Sequence, residues 1–315
     1  MALGQTVLHV LIYAAGTFYS NPIKIVLNAL VGSKYAVAYA HFRRDHSVPL
    51  NVWLHALCTV IQVGGNFALL EVWDQALFGE TTMFGLATST ALLWALFLGA
   101  QPSPIAVKVA TAALILGGLA VRCLLASHFL ALALAQAPFE IACYWLILPE
   151  HGFKRPDKKR MALMLLARVA LWYALAHFQG SLVPFVPFGK VTANVFFCVF
   201  LAAGSLIRAK DNMPLCEHLG LACWAPAILF DMPWLFFLCL SFIGQALQGV
   251  SHDITQQQGT LPQLKDARHE LAHCAYFPSL VLQTIHHSQF GPYPRTAKAL
   301  GNYPDKRSRK AMGLD

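Results

Sequence analysis

The residues best equipped for chemistry sit in one stretch, His41-Phe-Arg-Arg-Asp-His46-Ser-Val-Pro-Leu-Asn51-Val-Trp-Leu-His55. Imidazole is the commonest nitrogen ligand for zinc and iron. From Leu50 to Leu70 the chain is apolar, so Asn51 and His55 fall one turn apart on one face of a bilayer-length helix. Polar and ionisable groups at membrane depth are costly and mark function. A second group follows far downstream: His252, His269, His273, His286 and His287, five of the 13 histidines. Taken singly, each of these residues is a solvated histidine at the lipid headgroups. Taken together, the two clusters point to a metal site.

Within the second group, His269-Glu270-Leu-Ala-His273 matches HExxH. On a helix this places two imidazoles on one face with a glutamate available as base, the arrangement of a zinc peptidase. Such a site needs a third ligand, and the acids after Glu270 are Asp305 and Asp315, both in the tail. His286 and His287 do not fall at a peptidase spacing. A membrane zinc peptidase is the third-ranked reading.

The elements that must position these groups are membrane helices. Of the 315 residues, 57% are hydrophobic and 12% charged; a soluble domain carries about twice that charge fraction. The formal charge of +8 then speaks of topology and headgroup contact, and no nucleic-acid partner is expected. The eight cysteines are scattered without a CxxC pair and read as small buried hydrophobes in a reducing setting. Met1 to Gly16 lacks a charged n-region, so no cleavable signal or Arg-rich transit peptide is expected.

Taken in order, residues 3–19 form a short apolar stretch and 23–46 one helix carrying Tyr35, Tyr39 and Phe42. Spans are expected at about 50–72, closed by Glu71 and Asp74, and then at 82–100, 105–126, 128–148, 161–178 and 189–207. The basic loop from His151 to Arg160, the Arg208/Lys210 pair and the Arg43/Arg44 pair place three ends on the cytosolic side. The run 219–247 contains Pro226 and Asp231-Met-Pro233, a pattern for a broken or re-entrant helix. A helix from about Pro262 to His287 and a basic tail after Gly291 complete the chain. The fold expected is all-α, a polytopic transmembrane bundle in a single integral membrane domain over 1–315. It comprises N-terminal helices (1–49), a bundle (50–250), a His-rich segment (251–290) and the tail (291–315). Six crossings before 219–247 bring the chain back to the cytosolic side. A seventh straight crossing would set His252 about 30 Å from His55. A shared site therefore requires that run to bend, and puts His252 within about 8 Å of His55, the reach of residues ligating one ion.

The pattern Tyr39-x-His41, His46-x4-Asn51-x3-His55 resembles the N-terminal signature of the fungal-type 2-hydroxy fatty acid dioxygenase family. Gln248, His252, Gln256 and Pro262-Gln-Leu264 fit its second signature in order, except that the family's acidic position is Gln256 here. The resemblance covers about residues 30–72 and 240–282, with extra spans between. It implies Fe(II)-dependent shortening of a 2-hydroxy fatty acid by one carbon in the endoplasmic reticulum or a related endomembrane. It implies His46, His55 and His252 as ligands, with His41 and His273 next. Asn51 and Gln248 would orient imidazoles or the bound acid, with Gln256 at the departed acidic position. The expected partners are membrane lipids and a lipid-derived acid substrate. The alternative is a non-catalytic membrane subunit of a larger membrane-protein complex, for which the added spans and Gln256 argue.

Overall fold

The computed structural model describes residues 22–81, 83–132 and 266–290, together with 166, 170, 232–234, 236–237, 240, 248, 251–252 and 255. The expected segment 3–19, the spans beyond 132, the loop 151–160, the Arg208/Lys210 end, Gln256 and the tail lie outside them. So does most of the 219–247 run with its expected break. Among the described residues every regular element is helical: α1 (Pro22–Val31), α2 (Tyr35–Asp45), α3 (Pro49–Phe78), α4 (Leu86–Gly99), α5 (Ile105–Ser127) and α6 (Ala267–Phe290).

The helix expected over 23–46 is two helices, broken at Gly32-Ser33-Lys34. The break is held from a distance, because the Ser33 amide donates to the Arg268 carbonyl at 3.3 Å. Local periodicity carries no sign of that contact. Helix α2 then ends at His46, and Pro49 opens α3, where proline's missing N–H costs nothing.

Helix α3 runs past the expected end at 72 to Phe78. Glu71 and Asp74 do not stop it, because each carboxylate has a partner. Arg122 of α5 donates through Nε to Glu71 at 2.8 Å, joined by Gln75 and Thr81. Asp74 accepts from the Leu86 and Ala87 amides at 2.6 and 3.0 Å and so satisfies the first turn of α4. Gly79, at φ +80°, terminates α3 in the left-handed conformation that a side chain would resist. Helix α5 packs closely along α3, since Gly118 leaves no Cβ to strike Val63 and Phe67, which would lie 2.8 Å away.

Among the described residues two helices, α3 and α5, are long and apolar enough to cross a membrane. Their faces are arranged in the sense a lipid-immersed bundle requires. On α3, Asn51, His55, Thr59, Gln62 and Asn66 are buried, while Trp53, Leu57 and Val60 on the opposite face are exposed. Helix α5 likewise exposes Ile105, Val109, Leu116 and Leu124. The core between the helices is built from Phe42, Phe67, Trp94, Leu271 and Phe277 and their neighbours. Trp94 donates its indole N–H to the Ala275 carbonyl, fixing α4 against α6.

Candidate metal centre

Three elements bring imidazoles to one point. His46 caps the C-terminus of α2, His55 lies in the second turn of α3, and His252 comes from the segment around 248–255. Their ring centroids lie 4.4 Å (His46–His55), 4.6 Å (His46–His252) and 4.9 Å (His55–His252) apart. One ligand atom from each lies within 4.8 Å of those of the other two, and all three rings are buried. His55 and His252, far apart in the chain, thus meet at one centre, closer than the 8 Å expected from the sequence.

The tautomers follow from the partners. His46 Nδ1 faces the Phe42 carbonyl at 2.6 Å, and His55 Nδ1 faces the Asn51 carbonyl at 2.8 Å. A carbonyl only accepts, so both Nδ1 atoms carry the proton and both Nε2 atoms present lone pairs. Those two Nε2 atoms are 3.0 Å apart. Two bare lone pairs at that distance in a buried site repel unless a proton or a metal ion lies between them. The separation suits two nitrogens each about 2.0–2.1 Å from one ion. Burial, with His55 and His252 alongside, holds the His46 imidazole well below its usual pKa, so it stays neutral and able to ligate.

A layer of polar groups orients these rings. The Ser251 hydroxyl is 2.8 Å from Asn51 Oδ1, 2.7 Å from the Gln248 carbonyl and 3.2 Å from His55 Nδ1. With one proton, it donates to one of the oxygens and accepts from the His55 Nδ1–H. The Asn51 amide lies 3.3 Å from His252 Nδ1. Gln248 reaches back to α3, its Nε2 donating to Gln62 Oε1 at 3.2 Å. The Phe42 ring lies flat on His46, 3.7 Å between centroids, and Phe277 stands beside His55. These two rings wall the site.

His41 and His273, expected as further ligands, stand together outside that group, with His273 5.9 Å from the Phe42 ring. Their rings stack 6.4 Å apart, and His269 meets His41 edge-on at 5.2 Å. His41 Nδ1 and His273 Nε2 are buried without a hydrogen-bond partner among the described residues. Burial is the main reason both imidazoles titrate low, with His41 near 4. Among the described residues, only the His46–His55–His252 group gathers three or more His, Cys, Asp or Glu ligand atoms within such a radius. The HExxH helix forms as expected, but His269 and His273 do not gain a third ligand from the described residues at that range.

Ser251, Gln62 and Phe42 were not singled out by the motifs. For Gln62 a signal existed, since Asn51, His55, Thr59, Gln62 and Asn66 recur at helical spacing in an otherwise apolar run. Phe42 and Ser251 gave none beyond adjacency to a histidine. Compared with known proteins, the chain matches no family model, no curated protein and no solved structure.

Proposed function

We propose that this protein is a membrane-bound non-haem iron dioxygenase that shortens 2-hydroxy fatty acids by one carbon, within a polytopic helical bundle of an endomembrane such as the endoplasmic reticulum. The observation that carries the metal part is the pair of inward lone pairs on His46 and His55, 3.0 Å apart, with His252 completing a neutral, three-imidazole set. The signature residues around Tyr39–His55 and Gln248–His252 support the reaction class.

The donor set suits Fe(II). It is all nitrogen and uncharged, and three protein ligands leave positions open for exogenous groups. Fe(II) held there would supply the redox centre at which dioxygen and the hydroxy-carboxylate meet. The chemistry balances without a separate reductant. A 2-hydroxy acid and one O2 give the acid one carbon shorter, CO2 and water, the four electrons taken up by O2 coming from the substrate.

The chain's own residues do the rest. The Phe42 and Asn51 carbonyls hold the Nδ1 protons, which keeps Nε2 pointed inward. Asn51 and Ser251 pack behind the rings, the amide against His252 Nδ1 and the hydroxyl against Asn51 Oδ1, and hold the imidazoles in place. Phe42 and Phe277 exclude water on one side. The site sits at the start of α3, so an acyl chain can remain in lipid while its head reaches the imidazoles.

The test is metal analysis of the purified full-length chain, followed by incubation with a 2-hydroxy acid under O2 and mass spectrometry. About one iron per chain and an acid one carbon shorter are expected. Zinc bound through His269 and His273 would favour the peptidase reading. No bound metal at all would favour a non-catalytic subunit.

A further inference from the structure

The polar stripe of α3 does not stop at the imidazoles. Asn51, His55, Thr59, Gln62 and Asn66 follow one another at spacings of four, four, three and four, so they form one line along the helix. All five are at most 2% exposed. The line reaches roughly 16 Å beyond His55 at 1.5 Å per residue. The next turn buries Phe67, Ala68, Leu69 and Leu70, so the line is interrupted there, before Glu71 and Asp74.

Most of its groups are accounted for. The Thr59 hydroxyl donates to the His55 carbonyl at 2.6 Å, and Asn66 Nδ2 donates to the Gln62 carbonyl at 2.8 Å. Gln62 Oε1 accepts from Gln248. Two atoms remain without a partner among the described residues: the donor Gln62 Nε2 and the acceptor Asn66 Oδ1. They belong to residues one turn apart on the same face.

We propose that α3 binds water between Gln62 and Asn66, inside its membrane-spanning length, extending the hydrogen-bonded network of the histidine site into the helix bundle. The chemistry selects this ligand. One side of the gap donates and the other accepts, and neither is charged, which suits a neutral molecule able to do both. Side chains four apart on a helix are about 5–6 Å apart at Cβ, a gap that one water with two hydrogen bonds spans. Buried waters typically hold about three hydrogen bonds, and Gln62 and Asn66 supply two of them. A metal would require anionic or imidazole donors, and an acyl chain would leave both amides unmet.

The water would have two effects on the site above it. It completes the bonding of Gln62, whose Oε1 holds Gln248 and through it the segment carrying Ser251 and His252. It also continues the hydrogen-bonded line one turn deeper, to Asn66, whose Nδ2 donates to the Gln62 carbonyl. Neither effect depends on the identity of the metal or the substrate.

Cys58 is the reporter. It is buried, not disulfide-bonded, and four residues before Gln62 on the same face. The full-length chain in lipid nanodiscs, in water enriched in oxygen-18, is exposed to millisecond X-ray pulses. Hydroxyl radicals formed from bound water should oxidise Cys58 several-fold faster than Cys274, which is equally buried on α6. The Gln62→Leu/Asn66→Leu double variant should bring Cys58 down to the Cys274 rate. Equal rates for the two cysteines in the wild type would overturn the proposal, even if the variants failed to fold. Thermal unfolding gives an independent reading. Asn66→Leu should lower the melting temperature if it expels a bound water, whereas a rise would show that the amide oxygen had simply been unmet.

Discussion

Two groups of three histidines lie close to Phe42, and they differ in what fixes each ring. In the His46–His55–His252 group, carbonyls bind the Nδ1 protons of two rings and an amide faces the third, and the centroids lie 4.4 to 4.9 Å apart. In the His41–His269–His273 group the two measured separations are wider, 5.2 and 6.4 Å. There His269 Nδ1 is taken by the Ser33 hydroxyl, and His273 bonds to the Ala38 backbone. A count of histidines does not separate the two groups. Convergence does, since among the described residues only the first brings three ligand atoms within 4.8 Å of one another.

The comparison breaks most directly through single ligand removal. His46→Ala, His55→Ala or His252→Ala should abolish bound iron at equilibrium, a loss larger than the about 10–100-fold typical of changes behind the ligands. His41→Ala and His273→Ala should keep metal affinity within about tenfold of wild type, the lower end of that range. Metal content after dialysis distinguishes these outcomes. Full occupancy in any of the first three would remove that histidine from the site, and complete loss in His41→Ala would merge the groups.

A change behind the ligands comes next. Asn51→Leu removes the amide beside His252 and the acceptor for Ser251, and should weaken metal binding by about 10–100-fold while leaving the helices intact. Asn51→Asp, which retains an acceptor, should recover part of that loss. Titration calorimetry with Fe(II) under anaerobic conditions reads both. An affinity unchanged in Asn51→Leu would show that the ring of His252 is held by packing alone.

How much of this was legible in the sequence depends on the range of the interaction. The bilayer-length runs near 50–72 and 105–126 follow from composition, the second matching its helix closely and the first matching only at its start. Residues His46, Asn51 and His55 follow from local spacing, and the approach of His252 followed from requiring that both clusters share one ion. The break at 32–34 was not legible, because it is held by Arg268. The extension of α3 to Phe78 was not legible either, because the charges at Glu71 and Asp74 are answered by Arg122 and by the first turn of α4. That His41 and His273 stand outside the converging group was not legible, because no local pattern encodes which imidazoles meet.

A third prediction uses pH and touches both groups. Burial, with His269 and Arg44 nearby, holds His41 near 4, and His46 and His273 also sit well below the ordinary value. In the unfolded chain each titrates near 6.5. As pH falls through about 6.5 the unfolded state takes up protons that the folded state refuses, so the metal-free protein should lose stability progressively toward about pH 4. Thermal unfolding in nanodiscs between pH 7.5 and 4.5 measures this. A flat or rising stability over that window would mean that these imidazoles are solvated.

The smallest effect expected is at the rim of the second group. His269 is half-buried and bonds to Ser33 through its side chain. His269→Asn should leave metal content unchanged and cost about 1 kcal/mol of stability, the usual worth of one hydrogen bond. A loss of metal there would revive the HExxH motif as a ligand pair.

The central claim is that one metal ion sits among His46, His55 and His252. X-ray absorption at the metal edge of the iron-loaded, full-length chain tests it most directly. The account predicts three imidazole nitrogens at about 2.0–2.2 Å, the ordinary range for such bonds, with the outer-shell scattering of imidazole rings reduced by one third in His252→Ala. A first shell containing sulfur, or a wild-type spectrum unchanged by that substitution, would contradict it.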